Sequence, residues 1–194
     1  MNVNIVGLVS VSVVSHGQLA MVLNLLEDIQ EFCCSTTLEV ILTFNIDEIG
    51  DIVPSQYSFP ISVIKNTEPK GFGANHNQAF RAASGTFFCV LNPDIRLLAD
   101  PFPTLLESIK QQSLCLVSPL IVTSAGTIED SAREFPTFWS LFRKLFFSFE
   151  GRWPLDLNSE VNYPDWVAGM FMLFTSASYK EIEGFNTNYF MYYE

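Results

Sequence analysis

Residues 87–94 read Phe-Phe-Cys-Val-Leu-Asn-Pro-Asp: a short apolar run, aromatic and β-branched, that passes directly into Asn92-Pro93-Asp94. The run predicts a buried strand over Phe87 to Leu91. A single carboxylate held at a strand end can ligate Mg²⁺ or Mn²⁺, which accept oxygen ligands and take water or phosphate for the rest. Ordinary turn chemistry explains Pro-Asp equally well, so the triplet alone leaves both readings open.

Working outward, the same motif of apolar strand and polar end recurs upstream. Val9 to Val14 is β-branched and ends at Ser15-His16-Gly17. Leu19, Val22, Leu23, Leu26 and Ile29 then form one stripe of an amphipathic helix. Leu38 to Phe44 is a second strand ending at Asn45, and Ile61 to Ile64 a third, shorter one. Lys70-Gly71-Phe72-Gly73 makes a Gly-rich turn into a helix over Ala74 to Ser84, which Gly85 would stop as a C′ glycine. Strands alternating with helices over short connections predict an α/β domain, with a mostly parallel sheet and helices on both faces. Ligands in such sheets sit beyond the carboxyl ends of the strands. Ser15-His16, Asn45 and Asn92-Asp94 all lie there.

The rest of the chain is less regular. Phe135, Phe138, Trp139, Phe142, Leu145, Phe146 and Phe149 follow helical spacing, with Arg143, Lys144 and Arg152 nearby. Large aromatics with local basic charge suit a helix that meets a membrane surface or a lipid-linked molecule. Packing on the domain core is the alternative. Trp166 to Phe174 reads as a buried strand broken at Gly169.

Length and composition narrow the function classes. A chain of 194 residues suits one domain, 1–194, in two halves: 1–100, which carries the strand-end clusters, and 101–194. Lys plus Arg number 10 against 21 Asp plus Glu, a net charge of -11, so the chain would repel nucleic-acid phosphates. A divalent cation would offset the same repulsion toward a diphosphate. Cys33, Cys34, Cys89 and Cys115 form no CxxC pair, which argues against zinc or a disulfide framework and fits a reducing cytoplasm. The apolar N-terminus lacks a basic n-region and a cleavage site, so it reads as a strand rather than a signal peptide. No apolar stretch is long enough to span a bilayer.

Some candidates are weaker. The Gly71-Phe72-Gly73 turn could offer backbone N–H groups to a phosphate at a helix N-terminus, but it is neither GxGxxG nor a P-loop. His16 and His76 have no second ligand at metal spacing. No Gly-x-Ser-x-Gly elbow supports a serine hydrolase. Arg133 and Asp165 are isolated charges of the kind usually found on surfaces or caps.

In order along the chain, VSVVSHG, NTEPKGFGANHNQAF, FFCVLNPDI, SAREFPT, DWVAGMFML and GFNTNYFMYYE together resemble the family 2 glycosyltransferases of the GT-A fold, in the branch containing bacterial rhamnosyltransferases. The resemblance implies an inverting enzyme that moves rhamnose or a similar sugar from a nucleotide-diphosphate donor to a saccharide or lipid-linked acceptor. It also implies a cytoplasmic enzyme of cell-surface polysaccharide synthesis, peripheral at the inner face of the membrane. Ser15, His16, Asn45, Gly71, Phe72, Gly73, Asn77, Asn92 and Asp94 would line the donor site, with Asp94 holding Mg²⁺ or Mn²⁺. Asn45 and Asn92 stand as amides where the family usually has acids. Arg133, Trp166, Gly169 and Asp165 would lie on the acceptor side.

The family's closing motif is Glu-Asp, whose Asp resembles the general base; Glu194 matches its first half. Ending at Glu194 implies a truncated catalytic domain of weak activity. A non-catalytic nucleotide-sugar-binding domain or partner subunit is the alternative.

Overall fold

The computed structural model describes residues 7–50, 52–112, 115–135 and 153–190. Four strands follow the sequence pattern closely: β1 (Val9–Ser15), β2 (Leu38–Phe44), β3 (Ile61–Lys65) and β4 (Phe87–Leu91). Between them run α1 (Leu19–Phe32) and α2 (Phe72–Ala82). After β4 come α3 (Phe102–Gln112), β5 (Leu116–Val117), β6 (Ala132–Arg133), β7 (Trp166–Val167), β8 (Phe171–Thr175) and α4 (Ser176–Glu181).

The main sheet has six strands in the order β3-β2-β1-β4-β8-β5. Strands β1 to β4 run parallel, as expected for βαβ crossovers, and β8 enters antiparallel between β4 and β5. A small antiparallel β6–β7 pair stands apart from it.

Alternation along the strands divides the core in two. Val9, Val11 and Val13 of β1 face α1 and α3, where Val22, Leu25, Leu26, Phe102 and Leu106 complete one layer. Phe88 and Val90 of β4 face the other way, with Ala79 of α2, Met172 and Phe174 of β8 and Tyr179 of α4. The predicted helices on both faces of a mostly parallel sheet are therefore present.

Three local expectations are corrected. The buried stripe of α1 is Val22, Leu25, Leu26 and Ile29, with Leu23 only half-buried. Gly85 does not stop α2, which ends at Ala82 with Ala83 extended. It is small because β1 passes against it: a Cβ there would lie 2.6 Å from the Leu8 carbonyl oxygen. The apolar run 166–174 divides at Gly169 into two strands of different sheets, β7 and β8. Of the aromatic stripe from Phe135, only Phe135 is described, and it is exposed; the remainder lies outside the described residues.

Candidate functional site

Ends of β1, β2 and β3 are joined by a network of side-chain amides. The Asn45 backbone N–H, just past β2, donates to the Ser15 carbonyl at the end of β1 (2.8 Å). The Asn45 side chain is buried and makes four bonds. Its Nδ2 donates to the Lys70 carbonyl (2.9 Å) and approaches His16 Nδ1 (3.1 Å). Its Oδ1 accepts from the Lys70 N–H (2.8 Å) and from Asn66 Nδ2 (3.0 Å). Asn66 Nδ2 also donates to Asn75 Oδ1 (2.7 Å), and Asn75 Nδ2 donates to the carbonyls of Lys70 and Gly71.

This arrangement explains two oddities of the sequence. Asn45 satisfies both a donor and an acceptor of the Lys70 peptide, which a carboxylate in its place could not do. Asn75, a mediocre helix former inside α2, earns its place by bonding the turn that precedes the helix. Asn66 follows β3 just as Asn45 follows β2, and its place past a strand end was the signal that could have identified it. Its Oδ1 is buried without a partner.

Beside the network is a cleft of about 170 Å³ lined by Phe44, Ile46, Asp47, Glu48, Gly50, Lys65 and Asn66. Glu48 accepts from the N–H groups of Gly17 (2.9 Å) and Leu19 (3.0 Å), so it ties this loop to the start of α1. The Lys65 ammonium lies 5.8 Å from the Phe44 ring centre. Among the expected donor-side residues, Ser15 is buried with its Oγ accepting from the Gln18 N–H, while His16 is exposed.

The adjacent strand end carries Asn92 and Asp94. The Asn92 N–H donates to the Met170 carbonyl (2.9 Å), which seats the start of β8 beside the triplet. Downstream, Asp28 of α1 grips the chain: its carboxylate takes two bonds from Arg96 (2.6 and 2.7 Å) and one from the Leu97 N–H (2.9 Å). The Arg96 bond holds the Asp28 carboxyl below the usual carboxylate range. Asp94 is exposed, and its carboxylate is unpaired among the described residues. No group of three or more metal-ligating side chains occurs among the described residues. One free carboxylate beside a strand end still suits Mg²⁺ or Mn²⁺, which are commonly held by one or two carboxylates plus substrate phosphates.

The Gly-rich turn is differently used from the expectation. Phe72 and Gly73 are already helical, and the Phe72 N–H donates to the Phe190 carbonyl (3.0 Å), so this N–H is not free for a phosphate. Gly71 is glycine because a Cβ would lie 2.5 Å from that same carbonyl oxygen. The Asn77 side chain points into the fold, bonding Tyr179 and Phe185. His76 is buried, shares a 2.8 Å hydrogen bond with Ser12 Oγ, and burial pushes its pKa down to about 3.

On the second side, Arg133 of β6 pairs with Asp130 and lies over the Trp166 ring of β7 at 5.8 Å. Trp166 Nε1 donates to the Glu134 carbonyl, and the exposed Asp165 accepts from the Phe135 N–H (2.8 Å). Gly169 admits the Phe72 ring, whose Cζ would lie 2.8 Å from a Cβ there. The fold thus unites Ser15, His16, Asn45 and Gly71, sets Asn92 beside β8, and gathers Arg133, Trp166 and Asp165 around the β6–β7 pair. Glu194 lies outside the described residues.

Comparison with known proteins accords with this geometry. The Glycosyl transferase family 2 model matches residues 10–174. Rhamnosyltransferase WbbL of Escherichia coli is 28% identical over 138 residues, covering 64% of this chain and 51% of that protein. A dolichol-phosphate mannosyltransferase of Pyrococcus furiosus is 30% identical over 87 residues, covering 45% of this chain and 22% of its own. Among solved structures, the mannosyltransferase PcManGT from Pyrobaculum calidifontis, in complex with GDP-Man and Mn²⁺, aligns with a TM-score of 0.53 at 16% identity. It covers 94% of this chain and 48% of that one. Staphylococcus aureus TarS 1-349 with UDP-GlcNAc aligns with a TM-score of 0.55 at 14% identity, over 90% of this chain and 47% of its own. The chain spans about half the length of the rhamnosyltransferase and of these two structures. With the GT-A architecture and a family match over most of its length, the chain belongs to glycosyl transferase family 2.

Proposed function

We propose that this protein is an inverting glycosyltransferase that moves rhamnose or a similar sugar from a nucleoside-diphosphate donor to a hydroxyl of a saccharide or lipid-linked acceptor. The product would be cell-surface polysaccharide, made at the cytoplasmic face of the membrane. The observation that carries this reading is the gathering of Ser15, His16, Asn45, Asn66 and Lys65 at the carboxyl ends of β1 to β3, beside Asn92 and Asp94 at the end of β4.

The cleft between Phe44 and Asn66 takes the nucleoside, and its aromatic and amide walls suit a base. Asp94 would hold a divalent cation, which when bound would supply charge stabilisation to the diphosphate leaving group. Asn92 orients the turn that carries Asp94. Arg133, Trp166 and Asp165 receive the acceptor, with Gly169 giving Phe72 room between the two sides. In the chemical step the acceptor oxygen attacks the anomeric carbon as the bond to the diphosphate oxygen breaks. The acceptor proton passes to a general base, the role that the resemblance gives to the Asp following the Glu matched by Glu194, and the anomeric configuration inverts.

The test is a panel of nucleotide sugars assayed for release of nucleoside diphosphate with Mn²⁺ and a saccharide acceptor. Release that depends on both acceptor and one donor class supports the transferase. Donor binding with no transfer identifies a non-catalytic module, and no binding of any nucleotide sugar overturns the reading.

A further inference from the structure

The chain after α4 is steered back toward the start of α2 by one half-buried amide, that of Asn77. Just past α4, Glu183 at φ 61° and Gly184 at φ 75° are two successive left-handed residues that reverse the chain toward α2. Gly184 packs on Asn77 so closely that a Cβ there would overlap Asn77 Oδ1. Asn77 Oδ1 accepts from the Phe185 N–H (2.9 Å) and from the Tyr179 hydroxyl (2.7 Å), and its Nδ2 donates to the Phe185 carbonyl (2.8 Å). One side chain thus holds both polar groups of the Phe185 residue. The Phe185 ring then packs edge-on against Phe72, 5.5 Å between centres. Five residues later, the Phe190 carbonyl accepts from the Phe72 N–H.

Residues 184–190 therefore form a strap fastened at Asn77 and again at Phe72, and the strap leads into the closing run at Glu194. Resting on the transferase reading above, we propose that Asn77 is a positioning residue: it acts by fixing residues 184–190 against Phe72, whose ring lies at Gly169 next to the acceptor-side residues, rather than by touching the donor. Its three bonds exhaust the groups with which it could hold a nucleotide in this geometry, apart from one Nδ2 hydrogen.

Hydrogen exchange, calorimetry and steady-state kinetics on the full-length protein test this together. In Asn77→Ala the Phe72 and Phe185 amides should exchange at least tenfold faster, while the amides of β1, β2 and β4 keep their protection. Affinity for the nucleotide sugar should stay within twofold, and kcat should fall tenfold or more with donor KM unchanged. Asn77→Asp keeps both acceptor bonds but sets a carboxylate oxygen against the Phe185 carbonyl in place of the donor, so it should fold and still lower kcat. A tenfold weaker donor affinity, unchanged exchange at Phe72 and Phe185 in Asn77→Ala, or an unchanged kcat in that variant overturns the positioning role. A wild-type protein that binds no nucleotide sugar overturns instead the functional reading on which it rests.

Discussion

Asp94 and His76 show how differently two polar residues are used, one exposed past the carboxyl end of a strand and the other buried against the sheet. Asp94 is exposed at the carboxyl end of β4, in a molecule whose net charge of -11 opposes any diphosphate. Calorimetric titration of a nucleoside diphosphate should show affinity that needs Mn²⁺ and disappears with chelator. Asp94→Ala should remove the metal dependence, weakening binding in Mn²⁺ by tenfold or more. His76 is a stability residue. Its folded pKa of about 3 lies below the ordinary 6.5, so the folded state refuses a proton that the unfolded chain accepts. Its contribution is complete above pH 6.5 and is lost as pH falls from there toward 3. Between pH 7 and pH 5 the loss amounts to about 2 kcal/mol. Urea unfolding at several pH values should show that slope in the wild type, and His76→Gln should flatten it whatever its plateau.

Elements are held in place by polar clasps at their ends. Asp28 belongs to α1 but serves the loop after β4, where it bonds Arg96 and the buried Leu97 N–H. Asp28→Ala leaves that N–H unsatisfied, which typically costs about 1–3 kcal/mol. Chemical denaturation should read this loss, and donor affinity should fall with it because the same loop carries Asp94. The carboxyl is held below its ordinary pKa, so the clasp persists above pH 4 and is lost only as pH falls through the lowered value. At the end of α4 the demand is conformational. Gly184 has φ 75°, where a side chain costs about 1–2 kcal/mol, and a Cβ would also strike Asn77. Gly184→Ala should therefore destabilise by at least that amount and loosen residues 184–190 in hydrogen exchange.

For the molecule as a whole, the two halves share one sheet. Strand β8 pairs with β4 along Phe87 to Leu91 and completes the layer of Phe88, Val90, Met172, Phe174 and Tyr179. A chain ending at residue 112 would expose β4 as an unpaired apolar edge, the kind of edge that aggregates. Expressed alone, residues 1–112 should be insoluble or aggregated by size-exclusion chromatography, whereas the whole chain should unfold in one cooperative transition. A soluble monomeric fragment would show that the first four strands are self-sufficient.

How much of this was legible in the sequence follows from the range of the interactions. Strands β1, β2, β3 and β4 and helix α1 were readable because their apolar spacing is a local property set by burial on a sheet face or helix stripe. The strand-end cluster of Ser15, His16, Asn45 and Asp94 was readable for the same reason, since the ends of parallel strands converge wherever the strands are correctly identified. Helix α3 was legible in Leu105, Leu106 and Ile109 but was overshadowed by longer apolar runs. What only tertiary structure decided is each contact between residues far apart in the chain. The antiparallel entry of β8, the clasp of Asp28 on Leu97, and the meeting of Asn77 with Phe185, 108 positions away, leave no periodic trace in sequence. Gly71 and Gly85 make the same point: each looked like turn chemistry, and each is glycine because a distant backbone passes where a Cβ would stand.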